Sequence, residues 1–219
     1  KKFKRAAHLE YLPMPGGDMA IKEPWRMAAS YIYSAYGDVK SYDKKRWVIL
    51  KGMIEKKINS PMTSSAGRLF DAVGSLILNR ESSEFEAQLP IELEKIADKN
   101  EIGYYDFDLK KKDGMTIVSM ARTIRGILKD LDRGTLNSSI SAKFHNTAAF
   151  MILSMAKRFS LRKIALSGGV FQNKFLVRKA CHILKEHGFE VYTSSNIETN
   201  DSGIPLGQIA IANARIPCA

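Results

Sequence analysis

Residues 166–173 read Leu166-Ser167-Gly168-Gly169-Val170-Phe171-Gln172-Asn173, between a short apolar run (Lys163-Ile164-Ala165-Leu166) and an amphipathic segment from Lys174 to His187. The predicted order is strand, Gly-Gly turn, helix, which is how α/β folds build a phosphate site. Glycine has no Cβ, so its backbone can approach an anion closely. The free N–H groups of a helix start then face the anion with the positive end of the helix dipole. A bare Gly-Gly turn after a strand is structural as often as not; the longer string sets this one apart.

Downstream, the pattern continues as a strand (Glu190–Thr193), a loop and a helix over about 203–214. This predicts a βαβα unit with a parallel strand pair, whose ligand loops lie at the strands' C-terminal ends. Asn200-Asp201-Ser202-Gly203 opens the last helix, so Asp201 is expected at the same sheet edge as the Gly-Gly turn. A carboxylate there can ligate a metal that bridges to phosphate oxygens. Spacing alone favours a plainer role, as helix N-cap. One carboxylate does not make a metal site.

Upstream, helical patterning dominates. Pro24 suits the first turn of a helix through Tyr36 that Gly37 closes. Asp43 can cap a second helix, with Trp47, Leu50, Ile54 and Ile58 at helical spacing. Ser64 or Ser65 can cap a third, with Leu69, Phe70, Val73, Leu76 and Ile77 on one face. A fourth is predicted over about 84–98. Tyr104–Leu109 alternates like a strand, and Asp113-Gly114 suggests a hairpin into Met115–Val118. Two more helices follow, over about 119–132 and 138–159. The fold class is therefore α/β: a mostly helical insert over about 1–160 around a βαβα core over about 161–219.

Other strings carry weaker signals. Gly67-Arg68-Leu69-Phe70-Asp71 places a glycine and an acid on one helical face, and Asp71 among apolar neighbours suggests a paired or ligand-facing carboxylate. Pairing with Arg68 at the surface is an equal alternative. His145, in Phe144-His145-Asn146-Thr147, can act in acid/base chemistry or contact phosphate, although a lone helical histidine is more often a satisfied structural residue. Pro15-Gly16-Gly17-Asp18 with Lys22-Glu23-Pro24-Trp25-Arg26 reads as a functional loop or a helix-start ion-pair network.

Composition bounds the rest. With 219 residues and 45% apolar content the chain can bury a core as one large domain or two small ones. No apolar run approaches the roughly 18–20 residues of a membrane span. The basic N-terminus lacks the apolar core of a signal peptide, and without an initiator Met the chain is expected to be a fragment. Cys181 reads as a buried reduced thiol and Cys218 as an ordinary tail residue. Two cysteines build no framework, so a reducing cytoplasm is the expected compartment. The net charge of +11 comes from lysines clustered near 1–5, 40–57 and 110–112, with few interleaved aromatics. That favours a solvated surface over nucleic-acid binding.

Taken together, residues 15–18, 22–28, 63–73, 84–94, 144–147, 166–173 and 200–208 resemble, in order, motifs of one family. It is the carbamoyltransferase domain of the HypF hydrogenase maturation factors. The resemblance implies an actin/sugar-kinase/Hsp70-like (ASKHA) superfold, related to the enzyme of tRNA threonylcarbamoylation. It implies formation of carbamoyl-adenylate from carbamoyl phosphate and ATP, then transfer of the carbamoyl group to the C-terminal cysteine of a HypE-type partner for cyanide ligand synthesis. It further implies that Ser167, Gly168, Gly169 and Val170 approach phosphates by backbone, and that Gln172 and Asn173 contact the nucleotide. Gly67 and Asp71 would line the ribose and adenine side, with Glu86 near the ribose and Asp201 as a metal ligand. Mg2+ and a second divalent metal, Zn or Fe, belong to the complete domain; the resemblance identifies no catalytic residue here.

Three departures from the family pattern stand out. Phe85-Glu86-Ala87-Gln88 replaces a YEGQ-like string, putting Ala87 where a glycine faces the sugar. Ser202 replaces the first glycine of NDGGI. The upstream HHxAH-type histidine motif is absent, as are the family's acylphosphatase, zinc-finger and adenylating modules. The chain is thus expected to be a nucleotide-binding part that is inactive alone. Two alternatives stay open: a tRNA threonylcarbamoyl-transferase-like protein that binds tRNA, and a non-catalytic module that docks a partner.

Overall fold

A computed structural model describes residues 3–39, 43–194, 197 and 199–215. Cys218, and with Lys1, Lys2 and Lys40 part of the basic clusters, lie outside the described residues.

The core is built by helices whose ends the sequence marks. After strands β1 (Ala7–Leu9) and β2 (Leu12–Pro13) and one turn of helix α1 (Met19–Lys22), helix α2 spans Trp25–Tyr36. It stops at Gly37, whose φ of 76° turns the chain left-handed. Helix α3 (Lys44–Glu55) is capped by Asp43, which accepts from the Lys45 and Arg46 amides. The predicted helix ran on to Ile58, but the chain turns earlier through Lys57 and Asn59, both at positive φ, and Ile58 is exposed. Strand β3 (Met62–Thr63) leads to helix α4 (Ala66–Leu78), capped by Ser65.

Helix α5 is shorter than its pattern suggests, Gln88–Ile96 rather than about 84–98, because Ala87 is left-handed (φ 62°) and forces the chain to enter the helix from a turn. The expected strand at Tyr104–Leu109 begins only at Asp108. Strands β4 (Asp108–Lys112) and β5 (Met115–Ser119) form the predicted hairpin, with Asp113 and Gly114 both at positive φ as a primed turn requires. Helices α6 (Ala121–Asp132) and α7 (Asn137–Ala156) follow. The final unit is strand β6 (Lys163–Leu166), a 3-10 turn (Gly169–Gln172), helix α8 (Lys174–Glu186), strand β7 (Glu190–Thr193), a second 3-10 turn (Asp201–Gly203) and helix α9 (Ile204–Arg215).

β6 and β7 are parallel neighbours, as predicted, with Lys163 opposite Glu190 and Leu166 opposite Thr193. The N-terminal region is less purely helical than its sequence suggests. β1 pairs in parallel with β5, giving a β1-β5-β4 sheet, and β2 pairs antiparallel with β3. Strands of two or three residues are too short to show a period, so only the pairing defines them.

The buried cluster runs from Leu9 to Leu184 and takes in Met27, Leu50, Leu69, Ile124, Ile140, Phe144 and Leu176. Helix α9 is different: every residue from Ile204 to Arg215 is exposed, including Ile204, Leu206, Ile209 and Ile211. Where α4 meets α5, Gly74 lets the helices touch, because a Cβ there would lie 2.6 Å from the Cβ of Leu89. That neighbour is anchored to the backbone and cannot rotate away. Gly74→Ala is therefore expected to destabilise the fold by about 1–3 kcal/mol, measured by thermal or urea denaturation.

Candidate functional site

The turn after β6 is a backbone device. Gly168 has φ 106° and ψ 156°, a region open essentially to glycine alone. Gly169 is not at positive φ, and a Cβ at either position would meet nothing within 4 Å. Gly168 is thus needed for the shape of the turn, whereas nothing inside the chain requires a glycine at 169. A small residue there matters only to something that approaches from outside. Ser167, Gly168, Gly169 and Gln172 are exposed, while Val170 is half-buried against the core. The Phe171 amide closes the turn by donating to the Gly168 carbonyl at 2.9 Å.

The start of α8 is not free to receive an anion. Oε1 of Glu94 accepts from the amides of Lys174 (2.8 Å) and Phe175 (3.1 Å). Oδ1 of Asn173 accepts from Leu176 at 2.8 Å. The open donors therefore belong to the Gly-Gly turn rather than to the helix end that the sequence suggests. Asn173 also faces inward: its Nδ2 donates to Nε2 of His145 at 2.9 Å. Nδ1–H of His145 in turn donates to the Ser141 carbonyl at 2.8 Å, which fixes the neutral tautomer. Burial holds the imidazole below its ordinary pKa.

Much of the Phe144–Thr147 string is spent in the same way, although Asn146 Oδ1 is buried with no hydrogen-bond partner among the described residues. Asn146 Nδ2 donates to the carbonyls of Glu101 and Gly103, and Thr147 Oγ1 accepts from the Tyr105 amide. His145 is therefore the satisfied structural histidine of the plainer reading. The early charge cluster also resolves into a network, with Arg26 bonded to Glu23 at 2.5 Å and Arg46 stacked 4.2 Å over Trp25.

Helix α4 brings Gly67 and Asp71 towards this region, since it touches the 169–172 turn. Phe70 of α4 packs edge-on to His145 at 5.5 Å. Asp71 is 3% exposed and lies 3.0 Å from Nη2 of Arg68. The two sequence readings of Asp71 thus merge: it is paired with Arg68, and it is buried. The pair is poorly aligned, because Asp71 Oδ2 and Arg68 Nη1 are buried with no hydrogen-bond partner among the described residues. Burial pushes the Asp71 carboxyl up to about 6; Arg68 opposes the shift and the nearby Glu86 charge adds to it. Buried polar atoms are rarely left unpaired, so this edge of α4 can still take a polar ligand.

Asp201 follows β7 in the chain and opens the 201–203 turn, but it is not that turn's cap. Asn200 is the cap, accepting from the Ser202 amide at 3.0 Å. Ser202 also donates its hydroxyl to Asn200, so a side chain fits where the family has glycine. The Asp201 carboxylate is exposed and forms no ion pair among the described residues, and no group of three potential metal ligands exists among them. These residues alone do not hold a metal; Asp201 could supply one ligand at most. Sequence reasoning offered Arg68 as the partner of Asp71 but missed Glu94. Glu94 ends the Ile91-Glu92-Leu93-Glu94 string, but a cap supplied 80 residues away leaves no local signal.

Known proteins share the sequence and fold of this chain. Residues 1–208 match the family described as the Kae1-like carbamoyltransferase domain, second subdomain. The carbamoyltransferase HypF of Synechocystis is 31% identical over 94% of this chain and 30% of its own length. A carbamoyltransferase HypF homolog of Cupriavidus necator is 32% identical over 98% of this chain and 58% of its own length. A solved structure of full-length HypF in its phosphate- and nucleotide-bound form superposes with a TM-score of 0.91 at 38% identity. It covers 100% of this chain and 30% of that one. The chain thus spans about a third to a little over half of the relatives it matches, and its fold is that of their Kae1-like domain.

Two measurements probe this region. Ala87 pays a left-handed cost of about 1–2 kcal/mol, so Ala87→Gly is expected to raise stability by about 1 kcal/mol in denaturation. Asp71 has a folded pKa above its unfolded 3.8, so the folded state holds its proton more tightly and stability falls as pH rises from about 4 to about 6. His145, depressed when folded, works oppositely below its ordinary value, but it is common to both proteins and cancels in a difference. The stability of Asp71→Asn minus that of the parent is therefore expected to rise across that window by on the order of 2 kcal/mol, read from urea melts at each pH.

Proposed function

Because this chain belongs to the HypF carbamoyltransferase family, in the second subdomain of the Kae1-like domain, we propose that it is the nucleotide-binding part of a carbamoyltransferase of [NiFe]-hydrogenase maturation. The complete protein would use carbamoyl phosphate and ATP, pass through carbamoyl-adenylate, and carbamoylate the C-terminal cysteine of a HypE-type partner in the cytoplasm. The observation that carries this reading is the turn after β6, with Gly168 in a glycine-only conformation and open space over Gly169. The nucleotide-bound state of its 38% identical relative supports it.

In this reading Ser167, Gly168, Gly169 and Val170 direct backbone N–H groups at the phosphates. Oriented donors in a fixed frame stabilise negative charge without reorganising as it develops. Gln172, exposed at the end of the turn, contacts the nucleotide. Asn173 contributes by holding the turn against His145 and by its own position beside the ligand. Gly67 and Asp71 line the ribose and adenine side, with Glu86 near the ribose. At neutral pH an ionised Asp71 accepts a sugar hydroxyl, which answers its unsatisfied oxygen. A divalent metal, Mg2+ with ATP and Zn or Fe in the complete domain, would offset charge on phosphate oxygens. Asp201 is one ligand, and the others come from the upstream lobe.

The same lobe would cover the exposed apolar side chains of α9, and the chain alone is inactive. Residues 1–160 act as the insert and 161–219 as the βαβα core. No helix among the described residues is long and apolar enough to cross a membrane. Calorimetric titration with ATP and with AMP, with and without divalent metal, tests the proposal. Saturable binding that Gly169→Trp abolishes is the expected result, since an indole would fill the open space over the turn. Equal affinity in the variant would place the nucleotide elsewhere.

A further inference from the structure

A sizeable cavity of the structure lies away from the Gly-Gly turn. It is a cleft of about 720 Å3 between α5 and α8, and Gln172 is the one residue of the turn that lines it. Its floor and walls are apolar at Ile91, Ala97 and Phe175. Its rim carries Lys95, Lys99, Lys174, Arg178 and Lys179. The one carboxylate of the lining, Glu94, is spent on the first amides of α8. Lys95, Lys99, Lys174 and Arg178 form no ion pair among the described residues. His182 pairs with Glu186 at 3.3 Å, and Lys179 lies 5.5 Å over the Phe175 ring.

The lining carries five cations against one carboxylate, and that carboxylate is engaged by the first amides of α8, so the cleft sets an excess of positive charge beside apolar side chains. From this charge and shape we infer that the cleft is a docking site for an acidic segment of a partner protein, with an apolar side chain as its anchor. The trough takes the apolar anchor, and the rim takes carboxylates on either side. A nucleic acid fits less well. Single strands bind where aromatic faces are open for stacking, and Phe175, the one Phe, Tyr or Trp of the lining, is turned edge-to-face to His145 at 5.2 Å and covered by Lys179. The inference rests on the cleft alone and does not depend on where the nucleotide binds. Its consequence for function is proximity: a segment seated there ends beside Gln172, at the edge of the turn.

The test uses this chain and a short fluorescent peptide of glutamates around one central leucine, followed by anisotropy. Saturable binding that weakens with added salt is expected, because rim charges act through solvent. Lys95→Glu with Arg178→Glu should weaken it by on the order of tenfold or more. Reversing Lys110 and Lys111, an exposed basic pair on β4 outside the cleft, should leave it unchanged. Replacing the leucine by glutamate should also weaken binding, since a purely ionic surface would not notice. Coincident thermal melts of parent and variants show that the exposed substitutions leave the fold intact. The proposal is overturned if both charge-reversed variants lose affinity equally, if neither does, if the leucine makes no difference, or if oligouridylate binds the cleft as tightly as the peptide.

Discussion

The constraint on which the rest depends is the closure of the α8 N-terminus. Glu94 from α5 and Asn173 from the turn take its first three amides, and Asn173 is itself fixed by a neutral His145 of α7. Three helices and the glycine turn thus meet at one point. Hydrogen bonds to a charged group contribute about 1.5–3 kcal/mol, and a helix cap about 1 kcal/mol, so the junction is strong for its size. It also bears on chemistry: a helix start whose first amides are taken by the protein leaves the glycine turn before it as the place with open backbone donors.

This explains which parts of the fold were legible. The βαβα unit was readable because strand, Gly-Gly turn and helix have local signatures, and their parallel pairing follows from the crossover. Caps at Asp43 and Ser65, the stop at Gly37 and the Asp113-Gly114 hairpin were readable for the same reason. What the sequence hid is non-local. Strand β1 has three residues and exists only because β5 pairs with it. The start of α5 is set by one left-handed residue, Ala87, which carries no marker in a helix-prone string.

The candidate site divides in the same way. The glycine turn and Asp71 could be found from residue type and spacing. Glu94 could not, because its role is to cap a helix far away in sequence. The resemblance to the family pointed to position 87, and the structure supplies the physical reason a glycine suits it: the backbone there has positive φ. At position 202 the backbone makes no such demand, and serine is accommodated by bonding to Asn200. His145 shows the converse. A histidine in a motif invites a chemical role, yet one of its nitrogens bonds within its own helix and the other holds Asn173.

The most direct measurement is amide hydrogen exchange across residues 167–176, with and without ATP. Without ligand, Lys174, Phe175 and Leu176 should already be protected, because Glu94 and Asn173 hold their amides, while Gly168, Gly169 and Val170 exchange quickly. Added ATP should then slow the glycine turn and leave α8 unchanged. Fast exchange at the start of α8 that ATP slows, with no change at the turn, would contradict this: the helix end would then be the anion site, and its capping would not be the constraint that organises the structure.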